Sequence, residues 1–201
     1  ILDGDAGEIN DEVRLYLSQV YKGSQRLLDL INDMLDVSKI ESWKEKFDIA
    51  PVNISRLIRE AESETKWLFF KKDQEFIVSL DSDIDFQYST DENKLKQVLF
   101  NLLGNANKFT PKGGIVRMDY IKKNTEIVIN ITDSGIGIKK ADFEKIFEKF
   151  WQVKNSLTRD IDGTGLGLPI VKAIIEQMRW QIKVSSELWK WSTFSIHLPI
   201  H

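Results

Sequence analysis

Cysteine is absent from the chain, and histidine occurs only as His197 and His201. A disulfide framework is thereby excluded, and so is a zinc site built on thiolates, for which two imidazoles are no substitute. There is no surplus of basic charge: 28 Lys and Arg stand against 31 Asp and Glu, for a formal charge of -3. A protein that grips a polyanion shows a basic face or stripe, so nucleic acid is not an expected partner. No apolar run approaches the ~20 residues that cross a bilayer, and the amino terminus lacks the basic, apolar, small-residue order of a secretory leader. A cytoplasmic setting is expected. The chain opens at Ile1 rather than Met, which suggests a piece of something longer.

Proline is also scarce, with four in 201 residues, and long stretches run uninterrupted. Across residues 10 to about 42, apolar or small side chains recur at Val13, Leu17, Val20, Ser24, Leu27, Ile31, Met34 and Ser38, which predicts a long helix with a seam. Leu28, Leu30, Leu35 and Val37 broaden its second half, as in a helix buried in a bundle. Two readings follow: a core helix of the same domain, or a connector or dimerisation helix.

Beyond Pro51 the pattern predicts a helix over residues 55–71, with Asn53 or Ser55 as N-cap, then strands over 75–80 and 86–89. Asp91 caps a further helix running through Leu95, Val98, Leu99, Leu102 and Leu103 to Lys108, which must stop before Pro111. Strands 115–121 and 126–133 form a hairpin around Lys123 and Asn124. A short helix over 144–150 leads to a polar loop, 152–162, with the character of a lid. A helix over 166–178 and strands 181–186 and 192–200 close the chain, the last two joined by a turn at 187–191.

Three clusters carry chemistry. Asn101, Asn105 and Lys108 are spaced by four and three residues and share one helical face. Two carboxamides offer oxygen to hydrated Mg²⁺ without neutralising a phosphate, and an ammonium makes charge-assisted bonds to phosphate oxygens. Asp133, in Asp-Ser-Gly-Ile-Gly, sets a carboxylate at a turn whose glycines permit close backbone approach, where it can accept a hydrogen bond from an adenine amino group. Gly163-Thr164-Gly165-Leu166-Gly167-Leu168 opens a helix, and glycine-rich helix starts bind anions. It is neither a P-loop, lacking Gly-Lys-Ser/Thr, nor the dinucleotide fingerprint, since its glycines are at 163, 165 and 167.

In this order, NLLGNANKFT (101–110), DSGIG (133–137), IFEKF (146–150) and GTGLGL (163–168) resemble the N, G1, F and G2 boxes of sensor histidine kinases. The resemblance extends over residues 10–200, and LLDLINDMLDVSKIES (27–42) resembles the second helix of that family's dimerisation and phosphotransfer module. It implies an α/β two-layer sandwich, a mixed and mostly antiparallel sheet with helices on one face (the Bergerat ATP-binding fold), preceded by a long helix. Residues 1–45 are then a partial phosphotransfer module without its acceptor helix, and 46–201 an ATP-binding catalytic domain. By the same resemblance Asn105 and Asn101 hold Mg²⁺, Lys108 touches phosphate, and Phe109 lies beside the nucleotide. Asp133 recognises adenine, Gly135 and Gly137 shape the base pocket, Ile138 is a further ATP-binding residue, and Phe150 anchors the lid. Gly163, Gly165 and Gly167 let the lid and helix wrap the phosphates, and Thr164, Leu166 and Leu168 are ATP-binding residues beside them.

The implied activity is ATP-dependent protein-histidine kinase, passing the γ-phosphoryl group to a His on an acceptor helix of the same or a partner subunit. A response-regulator receiver domain is the next acceptor, the full protein is a homodimer, and the chain is cytosolic, with membrane anchorage upstream left open. Related clamp-type ATPases carry a Glu where this chain has Asn101, and a carboxamide cannot act as a general base. A degenerate, binding-only module is the other alternative.

The sequence departs from the kinase pattern in three ways. The acceptor His, with its acidic neighbour and Thr-Pro or Asn-Pro pair, is missing, and neither His197 nor His201 has that setting. Asn107 stands where the family often has an aliphatic residue. Trp43, Trp180, Trp189 and Trp191 occupy family glycine positions, with Trp151 a fifth candidate and Arg179 a further replacement. Trp189 and Trp191 fall in a turn expected to need positive φ, which bulky side chains resist. Either a source gene reading UGA as glycine or a natural aromatic patch explains them, and the native codons decide between the two.

Overall fold

The computed structural model describes residue 7 and residues 9–41, 46–80, 86–152 and 163–200. Trp43, His201 and nearly all of the expected lid lie outside the described residues.

Helix α1 (Asp11–Glu41) begins with Asp11 and Glu12 and carries Lys39 in its last turn, charges that complement the helix dipole. Asn10 Oδ1 accepts the Val13 amide at 2.8 Å and caps it. Its apolar seam faces solvent: Val20 is 65% exposed, Leu27 58% and Met34 61%. Val37 is the one buried side chain among the described residues of α1, so the helix is not a core element of the domain.

Strand β1 (Ala50–Asn53) was not anticipated. It pairs antiparallel with β3 (Gln87–Thr90) in a separate two-stranded ribbon, where Pro51 is tolerated because an edge strand can forgo a ladder donor. Helix α2 (Ile54–Lys71) is capped by Asn53, whose side chain accepts the Arg56 amide at 2.9 Å, while Ser55 is buried within the helix. Helix α3 (Glu92–Phe109) is capped by Asp91 and ends at Thr110, ahead of Pro111, as its sequence requires.

The main sheet has five strands in the order β2-β4-β5-β7-β6. Strand β2 (Glu75–Leu80) runs parallel to β4 (Ile115–Lys122), with α3 in the crossover between them. β5 (Glu126–Asp133), β6 (Gln181–Glu187) and β7 (Trp191–Pro199) are joined antiparallel. Burial alternates along β4 and β7, the mark of a sheet covered on one face. Met118, Ile129, Ile131 and Ile196 of the sheet meet Leu57, Ile58, Leu99, Leu102, Val171 and Ile174 of α2, α3 and α4 (Gly167–Gln177) in one core. Each such side chain contributes roughly 1.5–3 kcal/mol relative to exposure.

Between β5 and α4 the expected helix over 144–150 is replaced by two 3₁₀ turns, Lys140–Asp142 and Lys145–Phe147. Phe150 adopts φ 62, which breaks any helical continuation. Trp189 sits at φ 66 as the turn predicts, but Trp191 does not share that strain, since it opens β7 opposite Glu187. His197 lies on β7, with Nδ1 2.8 Å from Glu126 Oε2. No helix of the described residues is long and apolar enough to cross a membrane.

Candidate functional site

A cavity of about 560 Å³ opens between α3, the end of β5 and the glycine loop ahead of α4. Asn101, Asn105 and Lys108 line it from one face of α3. The Asn101 amide is oriented by its own helix: Nδ2 donates to the Gln97 carbonyl at 3.1 Å, which leaves Oδ1 facing Gly167. The last turn of α3 is held from outside. Lys72 Nζ donates to the carbonyls of Asn107 and Lys108 at 2.7 and 2.9 Å, satisfying acceptors a helix end leaves open. Asn107 Nδ2 donates to Gln74 Oε1 at 2.7 Å and to the Leu68 carbonyl at 3.2 Å, so this polar residue ties α3 to α2 and to the turn ahead of β2. Lys108 Nζ lies 5.0 Å from the centre of the Phe109 ring and fills the space a side chain at Gly163 would need.

Asp133 closes the deep end. It ends β5, is buried, and stands opposite Ser192 of β7, which also lines the cavity. Burial pushes its carboxyl up to about 6, and the Gly135 N–H, donating to Oδ1 at 2.9 Å, pulls in the other direction. A Cβ at Gly135 would fall 2.5 Å from that oxygen and 2.6 Å from the Phe109 carbonyl, so only glycine fits. Gly137, at φ 65, presses against the Glu187 carbonyl of the β6–β7 turn, which in return donates the Trp189 N–H to Ile136 O at 2.7 Å. Ser186 Oγ accepts the Ile138 amide at 2.8 Å and fixes the exit of the turn.

The glycine loop forms the third wall. Gly165, at φ 72, lies so near Phe150 that a Cβ would meet its backbone at 3.0 Å, and the Phe150 N–H donates to Gly165 O at 3.0 Å. Gln152 Nε2 donates to Gly163 O at 2.8 Å. Thr164 Oγ1 accepts the Leu166 amide at 3.2 Å and donates to Asp33 Oδ2 of α1 at 2.7 Å. Among the described residues no side chain caps α4, which leaves the Gly167 and Leu168 amides of its first turn to an anion.

The cavity thus gathers Asn101, Asn105, Lys108, Phe109, Asp133, Gly137, Ile138, Gly163, Thr164, Gly165, Gly167 and Leu168. Gly135, Phe150 and Leu166 stand behind the lining: Gly135 holds Asp133, Leu166 is buried, and the Phe150 ring is turned to solvent while its backbone steadies Gly165. Sequence reasoning missed Ser192, Asn32 and Asp33, and gave Trp151 and Gln152 no place in the cavity they line. Strand alternation is the signal that puts Ser192 on the buried face; the two α1 residues are off the apolar seam that defined that helix and give none.

The chain is similar to known proteins. Residues 90–201, more than half of the chain, match the family described as histidine kinase-, DNA gyrase B- and HSP90-like ATPase. The chain belongs to this family. Among curated relatives of this chain, the autoinducer 2 sensor kinase/phosphatase LuxQ of Vibrio cholerae is 34% identical over 195 residues, 96% of this chain and 23% of LuxQ. Full-length ShkA, solved in complex with AMPPNP, superimposes with a TM-score of 0.82 at 27% identity, covering 98% of this chain and 40% of ShkA. The catalytic domain of the histidine kinase ThkA matches with a TM-score of 0.67 at 28% identity, over 76% of this chain and 98% of that domain. The chain therefore spans about a quarter of the length of the curated relatives it matches.

Proposed function

We propose that the cavity binds ATP with Mg²⁺ and presents the γ-phosphoryl group to a histidine, as the catalytic domain of a sensor histidine kinase. The observation that carries the proposal is the convergence of Asp133, the Asn101–Asn105–Lys108 face and the Thr164 loop on one cavity of about 560 Å³, a volume suited to a nucleotide. Asp133 accepts the adenine amino group at the deep end, and Lys108, Thr164 and the α4 amides take the phosphates.

The donor set fits Mg²⁺. With Nδ2 of Asn101 committed to Gln97, a neutral oxygen faces the cavity beside Asn105, a pairing that suits an ion already carrying phosphate oxygens and water. Bound there, the ion offsets phosphate charge. The protein's own contribution is positioning and electrostatics: Lys108 holds a phosphate oxygen and the loop excludes water.

Asn101 favours transfer to an acceptor over hydrolysis, because it cannot remove a proton from water. The acceptor imidazole is supplied from outside residues 1–201, by the same or a partner subunit, and a receiver-domain aspartate follows it. Residues 1–45 belong on this reading to the phosphotransfer module and 46–201 to the catalytic domain. Titration calorimetry with Mg-ATP, followed by transfer of labelled γ-phosphate to an added acceptor-helix polypeptide, tests it. Asn105→Ala and Asp133→Ala are each expected to weaken binding at least roughly tenfold. ATP hydrolysis with no acceptor present would return the clamp-type reading, and no binding at millimolar ATP would favour the degenerate, binding-only module.

A further inference from the structure

Helix α1 reaches into the cavity it precedes: Asn32 and Asp33 form part of the wall. Its attachment is small and largely polar. Besides the bond from Thr164 Oγ1 to Asp33, Asp36 Oδ2 accepts Gln97 Nε2 of α3 at 2.8 Å. Val37 is buried against the core and Leu30 packs beside it. Residues 30, 33, 36 and 37 share one helical face, next to the solvent-facing row of Leu27, Ile31 and Met34.

A threonine hydroxyl has a single proton to donate. While Thr164 gives it to Asp33, none is left for a phosphate oxygen. Asp33 also sets a carboxylate at the rim of a cavity meant for a polyanion, and like charges at such range oppose one another. We propose that α1 is a latch on the nucleotide site: docked through Asp33 and Asp36 it holds the glycine loop in a state that binds a nucleoside triphosphate weakly, and undocking releases Thr164 to the phosphates. The inference rests on the ATP reading above and adds its regulation. By linkage the coupling is mutual, so ATP drives α1 off its seat by the factor with which docking weakens ATP. A seat of one buried valine and two side-chain hydrogen bonds is slight enough for a ligand to displace.

The rival role for Asp33, a ligand to the metal, has the opposite sign. Calorimetric affinities for Mg-ATP are compared for the 201-residue protein, Asp33→Ala, and Gln97→Ala, which changes a residue outside the cavity wall. Both variants are expected to bind more tightly, Asp33→Ala by roughly tenfold, the scale of one charge-assisted hydrogen bond, and Gln97→Ala by a smaller factor. A second arm uses the absence of native cysteine: Asp36→Cys with Gln97→Cys, bridged by a short bis-maleimide, pins α1 down and is expected to bind ATP several-fold more weakly than the unbridged protein. Weaker binding in Asp33→Ala would make Asp33 a metal ligand and overturn the latch, as would affinities unmoved by either variant or by the bridge. If neither the parent nor Asp33→Ala binds ATP, the ATP reading itself fails and takes the latch with it.

Discussion

Asp133 is held at a cost that its amide would not bear. Its carboxyl titrates near 6 in the fold against an ordinary 3.8, because burial disfavours the charge. Folding therefore favours the protonated form: the penalty is complete above pH 6, shrinks as pH falls through that value, and is gone below 3.8. Asp133→Asn is expected to raise stability by up to about 3 kcal/mol at pH 7.5, from roughly two pK units at 1.36 kcal/mol each. The gain should vanish in melts run near pH 4, while ATP affinity falls at every pH. Trp189 is a second residue under strain. It sits at φ 66 and is 55% exposed, so its indole recovers little for a left-handed backbone. Trp189→Gly is expected to add about 1 kcal/mol, or ~2–4 °C of melting temperature. Trp180, by contrast, has its side chain buried in the core, and a glycine there would leave a void. The tryptophans do not therefore behave as one class, whatever their codons.

Among the elements, α3 matters most because it supplies Asn101, Asn105, Lys108 and Phe109 to the cavity and is clamped at its far end by Lys72, Gln74 and Asn107. Asn107→Ala strands the oxygen of buried Gln74 and is expected to cost about 1–2 kcal/mol in urea titration, with ATP affinity moving far less. The limits of α2 and α3 were readable because Asn53, Asp91 and Pro111 act locally. The hairpin of β4 and β5 was readable because alternation survives a buried face. Segment 144–150 misled because Ile146 alone is buried within its turns, too little periodicity to separate a helix from 3₁₀ structure. β1 escaped because four residues with a proline carry no strand pattern. In the site, the spacing of Asn101, Asn105 and Lys108 is a property of one helix. The approach of Ser192 to Asp133 and of Asp33 to Thr164 is made only by tertiary packing, across separations no local pattern spans.

At the scale of the molecule, α1 is the unfinished part. Its outward row, with Leu27 58%, Ile31 47% and Met34 61% exposed, is a stripe that a stable monomer seldom leaves in water. Sedimentation equilibrium is expected to show a concentration-dependent dimer that Met34→Glu disperses, leaving the melting of the catalytic fold nearly unchanged. A monomer at all concentrations would remove α1 pairing from the account. The distribution of aromatic side chains has its own consequence. Trp151 is half-buried in the cavity wall, whereas Trp67 and Trp189 are largely in solvent, 58% and 55% exposed. A ligand arriving beside Trp151 changes the polarity around that indole and leaves the outer pair as a steady background, so the protein carries an intrinsic optical gauge of its own occupancy.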